Sequence, residues 1–505
     1  MALSITSTPG ALEPVYQNSM MFLAASTYAT YSNFRYIFDV YTNTNYTTTG
    51  GSFKTRVNPF TRPDGVGMYS PHYILRDNVS YKLQPNISSP TANTQSIINY
   101  YLKLGEEWNP QVSWYDTQWI SGALGLTFST PHGLLVGDLL LLDKTDKSLN
   151  PQYDGTCSVV AVTSPTSITT DKLFGDSSTA EGGEVTDVLR MSYTSSILRA
   201  FNGSRQYDEI DINFTNDYVL SGATDSFLTS YNGVKRNYVY DLSTISYIAA
   251  TSGTIPTHAV FNFYNKITGI VGTYGMTVST TASRVDVPTG YANFLLNGDS
   301  GLTIPFIFGM LSGGENGYYT VRMATWSSYP SGSPTYLSKP FTYSIIPNSD
   351  SGYFGCSSPT AREFDLIQIA FLNKFGAFEY MTFALVNKRT IKVNRKKYKK
   401  VLAYNYIMGD RGNTIFDMNV TEELTLNSDW LNDDEALMVS DLISSPEVYI
   451  IQQYPSNSST WTINNVKYLP VIVTTDSYTI KNTLNDQLFN FTLTVEMAFN
   501  TYTNI

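Results

Sequence analysis

Three histidines are the first candidates for acid–base or metal chemistry: His72, His132 and His258. Each lies in turn-like sequence, beside Pro71, beside Pro131 or shortly after Pro256. None is spaced with another His or a Cys as a zinc site requires, and no Ser–His–acid set can be ordered from them. Acidic pairs occur at Glu106-Glu107 and in Asp208-Glu209-Ile210-Asp211. Glycoside hydrolysis needs two carboxylates about 5–9.5 Å apart in one cleft. Neighbours along a strand point to opposite faces, so Glu106 and Glu107 cannot both line one site if that stretch is extended. The second cluster has oxygens for calcium but neither the ligand spacing nor the central glycine of an EF-hand loop. Surface charge is the simpler reading of both. No GxxxxGK[ST] phosphate loop and no strand–GxGxxG–helix pattern occurs, and glycines gather in turns such as Gly313-Gly314-Glu315-Asn316-Gly317. No catalytic, cofactor-binding or metal-ligating set emerges. The chain reads as non-enzymatic.

The concentrated feature is basic. Lys388, Arg389, Lys392, Arg395, Lys396, Lys397, Lys399 and Lys400 place eight of the 32 Lys and Arg residues in thirteen positions. The flanks, Met381 to Val386 and Val401 to Tyr406, read as strands, which puts the charge at or near a hairpin end. Its simplest role is a solvated tip. Its functional role is contact with an acidic subunit surface or with DNA passing nearby. On a chain of net charge −10, self-association is plausible, with Asp429, Asp433, Asp434 and Glu435 as candidate counter-charges.

Composition sets the scaffold. Over 505 residues, aromatics reach 14% and charged residues only 15%, against roughly 25% charged in an average soluble domain. The polar surface must then come from Asn, Thr, Ser and Tyr, which favour strands and turns. Interfaces also enrich Tyr and deplete Lys and Glu. The acidic balance argues against a general nucleic-acid binder. Cys157 and Cys356 fall in different segments, so a disulfide framework is not expected. The N-terminus has no basic n-region or apolar h-region of a signal peptide, and no apolar run is long enough to span a bilayer. Triplets such as Asn45-Tyr46-Thr47 and Asn213-Phe214-Thr215 match the glycosylation pattern by chance in so Asn- and Thr-rich a chain.

An all-β fold of several linked sandwich or small-barrel domains follows, with one short packing helix. The segments read as an N-terminal β domain, 1–118 plus 189–225, a small β module inserted at 119–188, a sandwich at 226–345, and a C-terminal β domain with the helix at 346–505. In the third, Tyr319, Val321 and Met323 alternate with Thr320, Arg322 and Ala324, the period of a half-buried strand. In the last, Phe489, Phe491, Leu493, Val495, Met497 and Phe499 alternate with polar or small residues over twelve positions. Such a strand would run about 40 Å and carry an apolar face that needs cover, either as a long edge strand with a frayed end or in part from another subunit. Asn432 and Glu435 form a capping-box pattern ahead of a helix whose Ala436, Val439 and Ile443 share one face.

The C-terminal segment carries a resemblance. The run from Phe364 to Tyr380, the basic hairpin, Asp429-Trp430, the helix around Glu435, Leu469 to Val473 and the closing aromatic strand occur in that order. This order resembles virion proteins of tailed bacteriophages and prophages of Bacteroidota, including crAss-like phages. The opening Pro9 to Pro14 is similar to such proteins too. Pro131-His132-Gly133, Val136-Gly137-Asp138 and Tyr153-Asp154-Gly155 are similar to small β modules inserted in phage particle proteins. The resemblance covers about half the chain. It implies a structural role in the virion, assembled in the bacterial host cytoplasm: a homo-oligomeric ring or sleeve in the tail, neck or baseplate, contacting its own copies and neighbouring virion proteins. It brings no catalytic residues and no cofactor. Two rival readings stand beside it. One is a peripheral receptor- or glycan-binding module, with Trp326 and Tyr329 as the first stacking residues to examine, although a buried core is the more natural place for Trp326. The other is a polysaccharide depolymerase.

Overall fold

Period-two alternation builds nearly everything in the computed structural model of the chain. It describes residues 3–16, 20–43, 50–59, 61–144, 155–173, 182–205, 211–238, 241–251, 253–265, 269–278, 283–296, 317–346, 366–452, 466–477 and 490–499. The fold is all-β, with several sheets, one small barrel and little helix. Among the described residues, no helix is long and apolar enough to cross a membrane.

The chain divides into two compact units, Met1–Ser80 with Ile97–Phe201 and Tyr81–Ser96 with Asn202–Ile505. This division is coarser than the four sequence segments and falls at different boundaries. One reason is that the short strand Thr91–Asn93 pairs with Arg284–Pro288 of the second unit.

In the first unit, β1 (Arg35–Asn43) and β2 (Ile97–Trp108) pair antiparallel over nine register positions. A barrel grows from the same sheet. Its strands are β3 (Val112–Ile120), β4 (Ala123–Phe128), β5 (Leu139–Lys144), β6 (Gly155–Ser164), β7 (Ser167–Leu173) and β8 (Gly183–Thr194). They pair in the cycle β3–β4–β7–β6–β5–β8–β3, which closes the wall. Closure leaves no exposed ladder edge. The leucine run shows why: Leu140 and Leu142 are buried while Leu139 and Leu141 face out. Strand β8 also pairs with β2, so the module shares a continuous sheet with its host.

In the second unit, β9 (Val234–Tyr238), β10 (His258–Asn265), β11 (Gly269–Thr277), β12 (Gly317–Thr325) and β13 (Phe341–Ile346) form a sheet in the order β9-β13-β12-β10-β11. Tyr319, Val321 and Met323 of β12 point inward as their alternation requires. They join Ile245, Tyr247, Val285 and Val287 of a smaller sheet in one core, which makes a sandwich.

The C-terminal sheet contains β14 (Ile367–Leu372), β15 (Phe378–Phe383), β16 (Lys388–Lys399), β17 (Asn413–Asn427), β18 (Val448–Gln452), β19 (Lys467–Val473) and β20 (Thr492–Met497). The order is β15-β14-β18-β19-β20-β17-β16, with every neighbour antiparallel. Helix α1 (Asp433–Ser444) starts in a full capping box, Asn432 receiving from the Glu435 amide and Glu435 from the Asn432 amide. Its Met438, Val439 and Leu442 cover one face of the sheet.

Two expectations are corrected here. The twelve-residue alternation does not form a long strand reaching for another subunit. β20 has six residues and lies between β19 and β17, and Phe491, Leu493, Val495 and Met497 are sealed against the sheet's own core. Phe489 lies outside the described residues. The basic run, in turn, reaches a hairpin end at Lys399 and Lys400 but does not lie between two strands. It is itself strand β16, and 401–412 is turn and loop rather than strand.

Candidate functional site

Residues 388–427 form a two-stranded arm in the second unit whose stretch 391–411 is exposed throughout. β16 is the edge strand, and all but one of its twelve residues are exposed. Its partner β17 is paired on its other side with β20 only from Glu423 to Asn427. From Ile391↔Glu422 to Lys399↔Asn413 the two strands pair with each other alone among the described residues. That ribbon is about 30 Å long at ~3.4 Å per residue. Burial along β17 follows the same geometry. Leu426, Leu424, Glu422 and Val420 are buried near the base, while Phe416 and Ile415 are exposed toward the tip.

The tip is apolar. Val401 is 93% exposed, Tyr404 and Met408 are completely so, and Tyr406 and Ile407 are mostly exposed. Turn hydrogen bonds shape this loop, from Lys400 N to Gly412 O (2.8 Å), Tyr406 N to Ala403 O (3.1 Å) and Asp410 N to Ile407 O (2.9 Å). A formed loop with uncovered aromatic and aliphatic side chains marks a contact surface more often than a solvated turn.

The cations divide in two. Arg389 pairs with Glu422, Lys392 with Glu423, and Lys396 with Asp417 at 2.7 Å, all acids of β17. Asp417 raises the Lys396 pKa. Lys388, Arg395, Lys397, Lys399 and Lys400 have no ion-pair partner among the described residues. The counter-charges inside the chain are therefore on the paired strand rather than around α1. Glu435 is engaged by Arg236, and Asp429 lies 3.9 Å from the same guanidinium. The apolar tip escaped the sequence reading because Val401 to Tyr406 has the composition of a strand. The available signal was eight residues from Val401 to Met408 without a charge, directly after the basic run.

The other candidates are built into the framework. His132 Nδ1 accepts from Leu134 N at 2.9 Å, so Nε2 donates to Ser164 O at 3.1 Å, and the ring braces the barrel loop. Asp138 of the same motif is buried against Arg190, which also lies over Trp108 at 5.0 Å. His72 contacts Ser70 Oγ at 2.9 Å, and His258 contacts Thr257 Oγ1 at 2.9 Å. Burial lowers the pKa of all three histidines. Glu106 is buried and accepts from Ser26 Oγ at 2.5 Å, whereas Glu107 takes Arg35 in a bidentate pair. The two carboxylates occupy opposite faces of β2. Asp208 and Glu209 lie outside the described residues, as do Cys356, Asn45 to Thr47, Tyr153-Asp154, and Gly313 to Asn316. Asn213 caps a short helix, its side chain accepting from Thr215 N and Asn216 N. Cys157 is buried, which pushes its thiol up to about 12 and leaves it inert as a nucleophile. Trp326 is buried and donates to Gly332 O at 2.7 Å, so of the two suspected stacking residues only Tyr329 reaches the surface. Among the described residues, no group of three or more His, Cys, Asp or Glu gathers as a metal site.

Fold and surface together define a multi-domain all-β protein with a projecting basic arm. No family model matches the chain, and no curated protein does. Among solved structures, Escherichia coli alpha-2-macroglobulin activated by porcine elastase is 9% identical, with 85% of this chain and 42% of that chain covered, at a TM-score of 0.13. A Salmonella alpha-2-macroglobulin mutant is 7% identical, with 97% and 29% covered, at 0.14. The phage phi92 endosialidase is 9% identical, with 99% and 70% covered, at 0.13. This chain spans less than half the length of the two alpha-2-macroglobulin chains.

Proposed function

We propose that this protein is a non-enzymatic structural component of a phage virion, building a ring or sleeve in the tail, neck or baseplate. The observation that carries the assembly part is the arm at 388–427. Among the described residues it combines a strand edge with no further strand, cations with no ion-pair partner and an apolar tip, so a partner that buries the tip while pairing the edge and the charges would gain free energy. The virion part leans on the order of motifs in the C-terminal segment. Partners are other copies of the chain and neighbouring virion proteins, with DNA or an acidic subunit surface facing 388–400.

The alternating strand near the C-terminus finds its cover inside its own sheet, but β16 and the tip of the ribbon stay exposed. Electron microscopy of the concentrated protein is expected to show closed rings or stacked sleeves. Mass spectrometry is expected to find the chain in purified particles of the phage that encodes it. A monomer at all concentrations that is absent from particles overturns the reading.

A further inference from the structure

We infer that the arm of one copy docks on the N-terminal end of helix α1 of a second copy, head to tail; the inference rests on the assembly reading above. The arm dictates what its receptor must look like. Lys397, Lys399 and Lys400 have no ion-pair partner among the described residues and stand next to Val401, Tyr404, Tyr406, Ile407 and Met408, so the receptor must be acidic and apolar at once. A nucleic acid backbone meets the first requirement and leaves the aliphatic tip wet. A second copy meets both. The arm 388–427 holds nine cations and four acids, a net of +5, which leaves −15 for the rest of a chain of net −10, so the arm is attracted to the remainder of any other copy.

The start of α1 has the matching chemistry. Asp433 and Asp434 are exposed, and Glu435 is already taken by Arg236. Trp430 is 57% exposed just before them, and Leu437 is 50% exposed one turn on, at i+4 from Asp433 and i+3 from Asp434. Acid and apolar side chains thus share one patch.

Geometry makes the contact intermolecular. β17 runs from Asn413 next to the tip to Asn427, and Asp429 and Trp430 follow at once. Tip and receptor therefore sit at opposite ends of one fifteen-residue strand, about 50 Å apart at ~3.4 Å per residue. The arm cannot fold back onto its own helix. Each copy offers one arm and one receptor at different places, so the contact is heterologous where the arm and the receptor of one copy engage two different neighbours. Such contacts close into rings when the rotation permits and run into filaments or sleeves when it does not.

The test is charge exchange in the full chain, read by sedimentation velocity across a concentration series. The triple variant Lys397→Glu, Lys399→Glu, Lys400→Glu and the double variant Asp433→Lys, Asp434→Lys are each expected to raise the concentration for half-association at least tenfold. A chain carrying both sets is expected to recover association. Trp430→Ser, which changes no charge, is expected to weaken association as well. All these side chains are exposed, so the unfolding midpoint serves as a control for folding. If the arm variant dissociates while the helix variants assemble like the parent, the receptor is elsewhere and the inference falls, with the assembly reading intact. If the parent is monomeric throughout, both fall. Retention on duplex DNA by a monomeric parent, lost in the arm variant, overturns the inference in favour of a nucleic-acid surface.

Discussion

Arg236 of β9 closes on Glu435 of α1 through two parallel hydrogen bonds, Nε to Oε1 at 2.9 Å and Nη2 to Oε2 at 2.7 Å. The same Oε2 accepts from Asn432 N at 3.0 Å, so one carboxylate caps the helix and ties it to the neighbouring sheet. Glu435→Ala removes the reciprocal cap, worth about 1 kcal/mol. It also strands a guanidinium that is 29% exposed, so the ion-pair loss falls below the ~3–5 kcal/mol of a fully buried pair. A total loss of about 2–3 kcal/mol is expected in urea unfolding. Glu435→Gln keeps an acceptor for Asn432 and is expected to cost about half as much. Equal losses for the two variants would mean that charge, not capping geometry, carries the effect.

Asp138 is a harsher case. It accepts Arg190 Nε at 2.8 Å and Nη2 at 2.7 Å and also receives Leu135 N at 2.8 Å, and both side chains of the pair are less than a tenth exposed. Asp138→Ala leaves a buried cation beside Trp108 and an unsatisfied amide. A loss of about 3–5 kcal/mol is expected, localised to the barrel. Near-parent stability in urea unfolding would show that water replaces the carboxylate there, against the burial described.

Asp441 makes stability depend on pH. Burial pushes its carboxyl up to about 6 from an ordinary 3.8, although the Ser230 hydroxyl donates to it. A carboxyl with a raised folded pKa binds its proton more tightly in the native state. The stability it contributes is therefore present below its unfolded pKa and is lost as pH rises through about 6. Asp441→Asn mimics the neutral acid and does not titrate. Relative to the parent, it is expected to gain up to ~3 kcal/mol between pH 4 and pH 7. Urea midpoints at four pH values in that window check this, and a constant difference between the two proteins rejects it.

What was legible in the sequence is what period-two patterning and local capping encode. β12, the inward face of β20, the capping box of α1 and the barrel strands all follow from side chains within a few residues of each other. Pairing does not. Nothing near Asp138 names Arg190 as its partner, because the two are 52 positions apart and meet only when β8 closes the barrel. The alternation from Phe489 to Phe499 shows a face that must be covered but not by what, and helix α1 turns out to be part of the answer. The basic run was legible as an electrostatic surface. Its form as an edge strand was not, because lysines disfavour strands on average and are tolerated where an edge faces water.

The arm yields a prediction that separates a self-sufficient ribbon from one that needs a partner. Two strands without a third are marginal in water, and the pairs from Ile391↔Glu422 to Lys399↔Asn413 have no further strand among the described residues. In dilute protein, the amides of 391–399 and 413–422 are expected to exchange hydrogen for deuterium rapidly through local opening. Those of 423–425, paired with both β16 and β20, should exchange slowly in the same sample. Raising the concentration into the associating range should slow the arm and leave the base unchanged. Phe416→Ser, which removes an exposed ring 6.1 Å from Tyr398, should speed exchange in the arm without moving the global unfolding midpoint. Arm amides as slow as the base in dilute monomer would show that the ribbon holds itself, and the physical case for a covering partner would then lose its main support.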